Sequence, residues 1–353
     1  MSAARERNHL LDGMRGVAAI MVMLFHFGYP FSLPMARSGY LAVDFFFILS
    51  GAVIARAYDR RLRDGWPLLK FLKTRLIRLY PLFLVGALLG LARIVGAIAL
   101  HDPRAPGGVK FAVDSVANLL LLPTPMAGTS VFPLNTPGWS LSLEALVNIA
   151  FAALLFRFGR GLMVVALCGL ALMVTALALH GSLDVGTNWA SFYGGVGRVL
   201  WGFMVGVLIG RRTAGKATAA SPATAITGLV LLVAVLAPSL EGAIRVGYDA
   251  VAAFLVFPIL VYLGSGIRIE GRLAMLCGAL GDLSYALYAV HYPLAIPLQI
   301  VLAKAHMGGI GGYVFAALLV IALAMILARL DAAAREYLSR MAKTRNSAPL
   351  TTL

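Results

Sequence analysis

The amino-acid sequence predicts an all-α integral membrane protein, a bundle of about ten transmembrane helices. Of its 353 residues, 60% are hydrophobic and 13% are charged, and the mean hydropathy is +0.87. Soluble globular chains are about 45–50% apolar and about a quarter charged. Apolar stretches of about 20 residues, the length that crosses a bilayer, recur along the chain. We therefore expect lipid to surround most of the protein.

About ten stretches meet this length requirement. They are residues 10–30, 38–57, 79–99, 138–157, 161–180, 194–210, 223–240, 247–265, 278–302 and 310–330. No small-residue cleavage site follows the first stretch, so we interpret it as a retained span and not as a signal peptide. The predicted membrane domain is residues 1–330, and residues 331–353 form a short basic cytoplasmic tail.

The distribution of lysine and arginine predicts that both termini lie in the cytoplasm. With that orientation, 22 of the 30 Lys and Arg residues fall in cytoplasmic segments and five in outer segments. Such a bias is what sets the orientation of membrane proteins. The longest outer segment, about residues 100–137, is rich in Pro, Gly and Thr, which is typical of an irregular loop that could cover an acceptor site.

Composition also argues against two kinds of function. The formal net charge is +15, but the basic residues lie between apolar stretches, and no helix-turn-helix or RNA-binding signature is present. Nucleic acid is therefore not an expected partner. The two cysteines, Cys168 and Cys277, lie in apolar stretches without CxxC spacing, so we expect neither a metal site nor redox chemistry.

Ionisable side chains inside the predicted spans are candidates for a functional site, because each costs at least a few kcal/mol at bilayer depth. Arg15 and His26 are 11 residues apart in the first span, so they project from one helix face, about 16 Å apart along the axis. Asp44, Glu144 and Arg198 are predicted in the outer half, at the depth of His26. A carboxylate can orient an imidazole, which can take a proton from a hydroxyl.

A second basic group lies at the predicted cytoplasmic side, where Arg75 and Arg78 join the arginine of the first span. Their i, i+3 spacing in KTRLIRLYP suits the binding of phosphates. At this point other interpretations stay open. Arg75 and Arg78 could be anchors on the cytoplasmic side. Asp44 could pair with an arginine to set helix packing, Glu144 could be a purely structural partner, and His291 could be a packing residue.

Five segments, in order, resemble the motifs of the acyltransferase-3 family of membrane O-acyltransferases. LLDGMRGVAAIMVMLFHF places Arg15 and His26 at that family's Arg-x10-His spacing. The other segments are GYLAVDFFFILSGAVIA with Asp44, Ser50 and Gly51, FLKTRLIRLYPLF with Arg75, Arg78 and Pro81, TPGWSLSLEAL with Trp139, Ser142 and Glu144, and LGDLSYALYAVHYPL with Ser284, Tyr285, Tyr288 and His291. The resemblance reaches from residue 10 to residue 295, nearly the whole predicted membrane domain.

The resemblance implies a ten-span bundle that transfers an acyl group from cytosolic acyl-CoA to a hydroxyl on the far side of the membrane. The acyl group expected is acetyl, from acetyl-CoA. It implies that His26 is the catalytic base or a transient acyl carrier, and that Glu144 and Asp44 orient His26 or the acceptor. It also implies that the phosphates of acyl-CoA are held by three arginines, or that these arginines line the route by which acyl-CoA enters. They are Arg15, Arg75 and Arg78. The residues assigned to substrate binding are Trp139, Ser142, Arg198, Tyr285 and His291. No metal is implied.

The expected partners are acyl-CoA, an extracytoplasmic or lipid-linked carbohydrate and membrane lipids, in a bacterial inner membrane. One departure from the family concerns the acceptor, since WSLSLEAL lacks the second acidic or polar residues that often follow the glutamate. Acylation of a small molecule or of a lipid headgroup is the second hypothesis. A secondary transporter or flippase is the alternative from another class, because it too places charges at mid-membrane.

Overall fold

The computed structural model describes residues 7–29, 31–33, 35–103, 105–126, 130–216 and 218–346, without the side chains of residues 338–346. This part of the chain is almost entirely helical. Its α-helices are α1 (His9–Gly28), α2 (Ala42–Ile54), α3 (Arg60–Arg63), α4 (Leu68–Ala99), α5 (Gly108–Leu119), α6 (Gly138–Ala153), α7 (Gly161–His180), α8 (Phe192–Thr213), α9 (Pro222–Leu236), α10 (Gly242–Val251), α11 (Phe257–Ser265), α12 (Gly271–Lys304) and α13 (Gly309–Asn346).

Within the described residues, eight helical segments are long and apolar enough to cross a membrane, by length and composition. They are His9–Gly28, Gly39–Arg63, Leu68–Ala99, Gly161–His180, Trp189–Thr213, Gly242–Ser265, Gly271–Lys304 and Gly309–Tyr337. The prediction of a multi-pass, all-α membrane protein is therefore confirmed. The cytoplasmic position of the termini stays a prediction.

The other two of the ten predicted spans correspond to apolar helices that are shorter than a full span. α6 has 16 residues and is followed by a 3₁₀ turn, Leu155–Arg157, and α9 has 15 residues. α9 ends at Leu236, two residues before Pro238, because a residue that precedes proline is disfavoured in the helical conformation. The predicted spans 138–157 and 223–240 therefore extend beyond the helices that form there.

Close helix contacts bring the polar segments into one bundle centre, as glycines in membrane helices commonly allow. α1 packs along α12, and α2 packs along α8. A Cβ atom on Gly206 of α8 would lie 2.0 Å from the carbonyl oxygen of Ile48, and one on Gly51 of α2 would lie 2.1 Å from that of Phe203. Only glycine fits at these two positions, and the α2 and α8 backbones touch there.

α12 contains two prolines, and one of them shapes the surroundings of the candidate site. Pro293 has no N–H, so the carbonyl of Ala289 lacks its helical donor. The side-chain amide of Asn135 donates to this carbonyl at 2.8 Å. The backbone of α4 passes the same carbonyl at Gly86, where a Cβ atom would lie 2.0 Å from the oxygen. This turn of α12 is thus contacted from two sides, next to His291.

The two ends of the bundle can be distinguished by the course of α1. We call the side where α1 begins the N-side, and the side where it ends at Gly28 the far side. At the N-side, two short parallel strands, β1 (Thr218–Ala219) and β2 (Ile267–Arg268), join the segments that follow α8 and α11. The Asn8 side chain donates to the carbonyl of Gly264 at 2.9 Å and so ties the start of α1 to the end of α11.

α13 continues without interruption across residue 330, where the predicted membrane domain meets the predicted tail. Its charged pair, Asp331 and Arg335, lines a cavity inside the bundle. The side chains from residue 338 onward and residues 347–353 lie outside the part of the chain that the structure describes. The boundary between the predicted domain and its tail stays a prediction.

Candidate active site

Three adjoining cavities form a row from the N-side to the far side. The vestibule at the N-side has a volume of about 590 Å³, the central cavity about 190 Å³ and the far cavity about 30 Å³. The residues that line both the vestibule and the central cavity are Arg15, Leu49, Val53, Arg78 and Asp282. Val43 and Tyr288 line both the central and the far cavity. The row therefore leads from one side of the bundle towards the other.

Arginines dominate the charge of the vestibule. Those that line it are Arg7, Arg15, Arg56, Arg78 and Arg268. Two carboxylates, Asp12 and Asp282, balance part of this charge, and Arg7 donates to Asp282 at 2.7 Å. A π-helical turn, Ala55–Asp59, follows α2 and carries Arg56. A concave surface with excess positive charge concentrates anions.

Arg15 lies where the vestibule meets the central cavity. Its Nε donates to Oγ of Ser284 at 2.9 Å, and its Nη2 donates to the carbonyl of Gly281 at 2.9 Å. Both partners belong to α12, so the guanidinium is held across the contact between α1 and α12. The predicted separation of Arg15 and His26 along α1 agrees with their positions, because Arg15 lies at the vestibule side of the central cavity and His26 lines the far cavity.

The central cavity contains a carboxylate paired with an arginine from another helix. Glu144 of α6 lies 3.3 Å from Nη2 of Arg75 of α4, and it accepts a hydrogen bond from Oγ of Ser50 at 2.6 Å. Arg75 is only 8% exposed, and its Nε has no hydrogen-bond partner within the described residues. The Nε–H of this guanidinium is therefore a buried, unpaired donor on a residue that lines the central cavity.

A hydrogen-bonded pair separates the central cavity from the far cavity. The hydroxyls of Ser140 and Tyr288 lie 2.6 Å apart, and both side chains are buried. Ser140 lines the central cavity, and Tyr288 lines both cavities together with Val43. We call these three residues the partition.

His26 lines the far cavity and makes a contact that the sequence did not predict. Its Nδ1 lies 3.0 Å from the carbonyl oxygen of Val22 and 3.1 Å from Nε2 of His291. His291 is fully buried, and its Nδ1 lies 3.0 Å from the carbonyl oxygen of Leu287. The ring of Tyr292 meets that of His26 edge-on, with centroids 5.1 Å apart. The imidazole that faces the far cavity is thus held by a second imidazole.

Asp44 and Arg198 form a buried ion pair at the far cavity. Nε and Nη2 of Arg198 donate to the two carboxylate oxygens of Asp44 at 3.0 and 2.8 Å, and both side chains are 1% exposed. Arg198 also donates to the carbonyls of Tyr40 and Val185 and lies over the ring of Trp139, 5.4 Å from its centroid. These contacts satisfy the arginine and fix α2, α8 and the segment before α8 together.

Comparison with known proteins decides the family. The family model described as an acyltransferase domain, acyltransferase-3, matches residues 8–329. The chain belongs to this family. The match covers Arg15 and His26 of α1 and His291 of α12, so the row of cavities lies within the acyltransferase domain. The family resemblance of the sequence is thereby confirmed.

Three relatives, each from a bacterium, are similar to parts of this membrane acyltransferase. Protein 2 in the picA locus of Rhizobium radiobacter is 38% identical over 189 residues, which are 48% of this chain and 95% of the relative. The acyltransferase MdmB of Streptomyces mycarofaciens is 34% identical over 157 residues, 40% of this chain and 37% of the relative. A protein of Komagataeibacter xylinus named as a candidate membrane-bound transacylase, BcsY, is 25% identical over 314 residues, 82% of this chain and 73% of the relative. No solved structure matches the chain significantly.

Two predicted contacts of the acyltransferase differ from those that the structure shows. Asp44 and Glu144 were predicted to orient His26 or the acceptor. Among the described residues, the side chain that bonds His26 is His291, whereas Asp44 pairs with Arg198 and Glu144 with Arg75. The pairing of Asp44 with an arginine is the alternative left open above, and a role of either carboxylate towards the acceptor stays a prediction. A buried carboxylate needs a cation or several donors, and an arginine satisfies this need better than a neutral imidazole does.

The remaining predicted residues divide between the cavities. Arg75, Arg78 and Tyr285 line the central cavity, and Trp139 and Arg198 line the far cavity. Arg75 and Arg78 belong to α4 itself, which begins at Leu68, before the predicted start of that span. Ser142 is buried and lines none of the three cavities.

Sequence reasoning missed several cavity residues. Ser140 precedes Ser142 by two positions, and a helical-wheel projection that aligned it with Glu144 at i+4 would have selected it. Asp184 and Thr187 line the far cavity from the segment between α7 and α8, where no pattern indicated a site. In the described residues, no group of three His, Cys, Asp or Glu side chains could hold a metal ion.

Proposed function

We propose that this acyltransferase moves an acetyl group from cytosolic acetyl-CoA to a hydroxyl of an extracytoplasmic glycan, in the inner membrane of a bacterium. One observation carries the proposal: a row of cavities joins an arginine-rich vestibule at the N-side to a histidine at the far side. Acyl transfer itself follows from membership of the family.

The vestibule suits the nucleotide part of the donor. Coenzyme A carries a diphosphate and a further phosphate, and arginine guanidinium groups match phosphate oxygens in pairs. Arg15 and Arg78 line both the vestibule and the central cavity. They therefore lie where the diphosphate of a bound coenzyme A would join the pantetheine arm. Glu144, Ser140 and Tyr285 offer acceptors and hydroxyls to its amide groups.

The length of the pantetheine arm supports the same arrangement. Its dozen or so bonds of about 1.5 Å span on the order of 15 Å when the arm is extended. Arg15 and His26 are separated by 11 residues of helix α1, which rise about 16 Å. A thioester could therefore reach the surroundings of His26 while the phosphates stay among the vestibule arginines.

The chemistry would use His26 as a general base. Its imidazole takes the proton of an acceptor hydroxyl as the oxygen attacks the thioester carbonyl carbon. The tetrahedral intermediate then collapses, the carbon–sulfur bond breaks, and the thiolate of coenzyme A receives a proton from the imidazolium. The products are an ester and free coenzyme A, and the histidine returns to its starting state.

The far cavity favours a small acyl group and a hydroxylated acceptor. Its volume of about 30 Å³ accommodates about two water molecules, and an acetyl group is of comparable size. Its lining includes the ring of Trp139, the hydroxyls of Thr136 and Thr187 and the carboxylate of Asp184. These hydroxyls and this carboxylate can hydrogen-bond the reacting hydroxyl of an acceptor, which is the only part of a sugar that a cavity of this size admits.

The test is release of coenzyme A by purified full-length protein in nanodiscs, with acetyl-CoA and with or without an envelope glycan fraction. We expect glycan-stimulated release that His26→Ala reduces by at least about 100-fold. His180→Ala is the matched control, since this exposed histidine lines none of the three cavities, and it should retain full activity.

Other outcomes would point to the alternatives. Release stimulated by a small alcohol or a lipid but not by the glycan would replace the acceptor and keep the reaction. If acetyl-CoA neither bound nor was consumed, the proposed function would be wrong, and a secondary transporter would become the leading hypothesis.

A further inference from the structure

The contact between His26 and His291 determines more than the position of one ring. We propose that His291 is a positioning residue that fixes the tautomer of His26, so that Nδ1 of His26 carries the proton and Nε2 keeps its lone pair. The consequence for catalysis rests on the proposed function, but the tautomer itself does not.

The first step concerns His291. Its Nδ1 lies 3.0 Å from the carbonyl oxygen of Leu287, and a carbonyl oxygen can only accept a hydrogen bond. Nδ1 of His291 therefore carries a proton. In a neutral imidazole one nitrogen donates and the other accepts, so Nε2 of His291 presents a lone pair.

The second step concerns His26. Its Nδ1 lies 3.1 Å from that lone pair and 3.0 Å from the carbonyl oxygen of Val22. Both neighbours are acceptors, so Nδ1 of His26 must be the protonated nitrogen. The Val22 carbonyl also accepts the backbone N–H of His26 within α1, whereas Nε2 of His291 has no such second donor within the described residues.

The reverse arrangement would require a positively charged His291. A doubly protonated His291 could donate from Nε2, but Nδ1 of His26 would then direct its lone pair at the Val22 carbonyl. His291 is 0% exposed, and no carboxylate contacts either ring among the described residues. A buried cation without a counter-charge is costly, so both rings are neutral at rest.

The result is a chain of hydrogen bonds, all donated in one direction, that begins at His26 of α1 and ends at the Leu287 carbonyl of α12. His26 donates to His291, and His291 donates to the Leu287 carbonyl. Nε2 of His26 has no hydrogen-bond partner among the described residues, and the side chain lines the far cavity. This nitrogen is the atom left to take a proton from an acceptor hydroxyl, and His291 would stabilise the imidazolium that forms.

The tautomer can be measured without any substrate. Full-length protein with ¹⁵N-labelled histidine would be studied by NMR in nanodiscs, and the resonances of His26 assigned by their loss in His26→Gln. We expect Nδ1 of His26 to be protonated and Nε2 to be unprotonated. A wild-type protein in which Nε2 of His26 carries the proton would overturn the proposal.

Two substitutions of His291 separate positioning from packing. His291→Phe keeps a ring of similar size but removes the acceptor, so the other tautomer of His26 should become detectable and turnover should fall about 10- to 100-fold, less than for loss of the base. In His291→Gln the amide oxygen can replace Nε2 as the acceptor. The fraction of the other His26 tautomer should therefore fall, and the turnover should rise, each by at least about threefold relative to His291→Phe. The KM for acetyl-CoA should change little in either variant.

The failures of the two proposals can be told apart. If His291→Phe left both the tautomer and the turnover unchanged, His291 would be a packing residue only. If the tautomer were as described but the wild type transferred no acyl group, the proposed function would fail and the coupling of the two rings would stand. If His291→Phe did not fold, the wild-type spectrum and His291→Gln would still decide.

Discussion

The pair of Asp44 and Arg198 shows how one contact can fix two helices where water is scarce. Each carboxylate oxygen accepts from the guanidinium, and both side chains are 1% exposed. Burying two charges costs several kcal/mol for each ion, and the pair offsets this cost only while both partners are present. The stability of the far side of the bundle should therefore depend on the pair as a unit.

We expect Asp44→Asn to lower the free energy of unfolding by about 3–5 kcal/mol, because it leaves the Arg198 cation buried and unbalanced. SDS titration in mixed micelles would measure this loss. Asp64→Asn is the control, since Asp64 and Arg60 are paired at 3.7 Å with side chains 68% and 95% exposed, and its effect should stay within about 0.5 kcal/mol. The double variant Asp44→Leu, Arg198→Met should cost less than the sum of its single variants.

The sequence was enough to identify most residues of the site, but not to predict which of them contact each other. Arg15, His26 and Glu144 were identified because charge inside an apolar stretch is costly, and all three line cavities. Which carboxylate meets which cation depends on how each helix is rotated about its axis. Periodicity within one helix gives no information on that rotation relative to another helix, so the pairing of His26 with His291 could not be predicted.

At the scale of whole elements, α2 and α8 are held at backbone contact by glycine. A Cβ atom on Gly206 would lie 2.0 Å from the carbonyl oxygen of Ile48, which belongs to the backbone and cannot turn aside. The two helices would have to separate, and Asp44 and Arg198 lie on these same helices. The helix contact and the buried ion pair therefore depend on each other.

Gly206→Ala should destabilise the protein by about 1–3 kcal/mol, the usual cost of overpacking a close contact. Gly96→Ala is the matched control in α4, because a Cβ atom there meets nothing within 4 Å. Alanine is the better helix former, so this control should be neutral or stabilise by up to about 1 kcal/mol. Equal losses of unfolding free energy in both variants would contradict the role of the contact.

Most of the elements followed from the sequence, because an apolar stretch of span length has few alternatives to a helix. The exceptions were local. α4 begins before its apolar stretch, so Arg75 and Arg78 belong to the helix and line its cavities. α6 ends before a 3₁₀ turn, and α9 ends before Pro238. The mean hydropathy of a sequence window does not detect either feature, so both predicted spans were too long.

On the scale of the whole molecule, the charge of the N-side should govern access of the donor. Five arginines and two aspartates line the vestibule, so the surplus is positive. Raising the salt concentration from about 0.05 to about 0.5 M screens such charges, because the Debye length falls with ionic strength. We expect the KM for acetyl-CoA to rise several-fold over this range.

S-acetylpantetheine supplies the control for that experiment. It carries the thioester but no phosphate, so its KM should be higher than that of acetyl-CoA at low salt and almost independent of salt. Arg56→Gln and Arg268→Gln should raise the KM for acetyl-CoA and leave that of the short donor unchanged. The same salt dependence for both donors would show that the vestibule does not bind phosphates.

The partition of Val43, Ser140 and Tyr288 has an electrical consequence. Water-filled cavities on either side of it would conduct the field, so a potential across the bilayer would fall mostly over this short dry section. An elementary charge that crosses a full 100 mV exchanges about 2.3 kcal/mol with the field. An acetyl group carries no charge and would cross without electrical work, and in the proposed reaction the anionic coenzyme would stay at the N-side. If the proposed function is correct, the partition would let an uncharged acetyl group pass from the N-side to the far side while it keeps protons and ions apart.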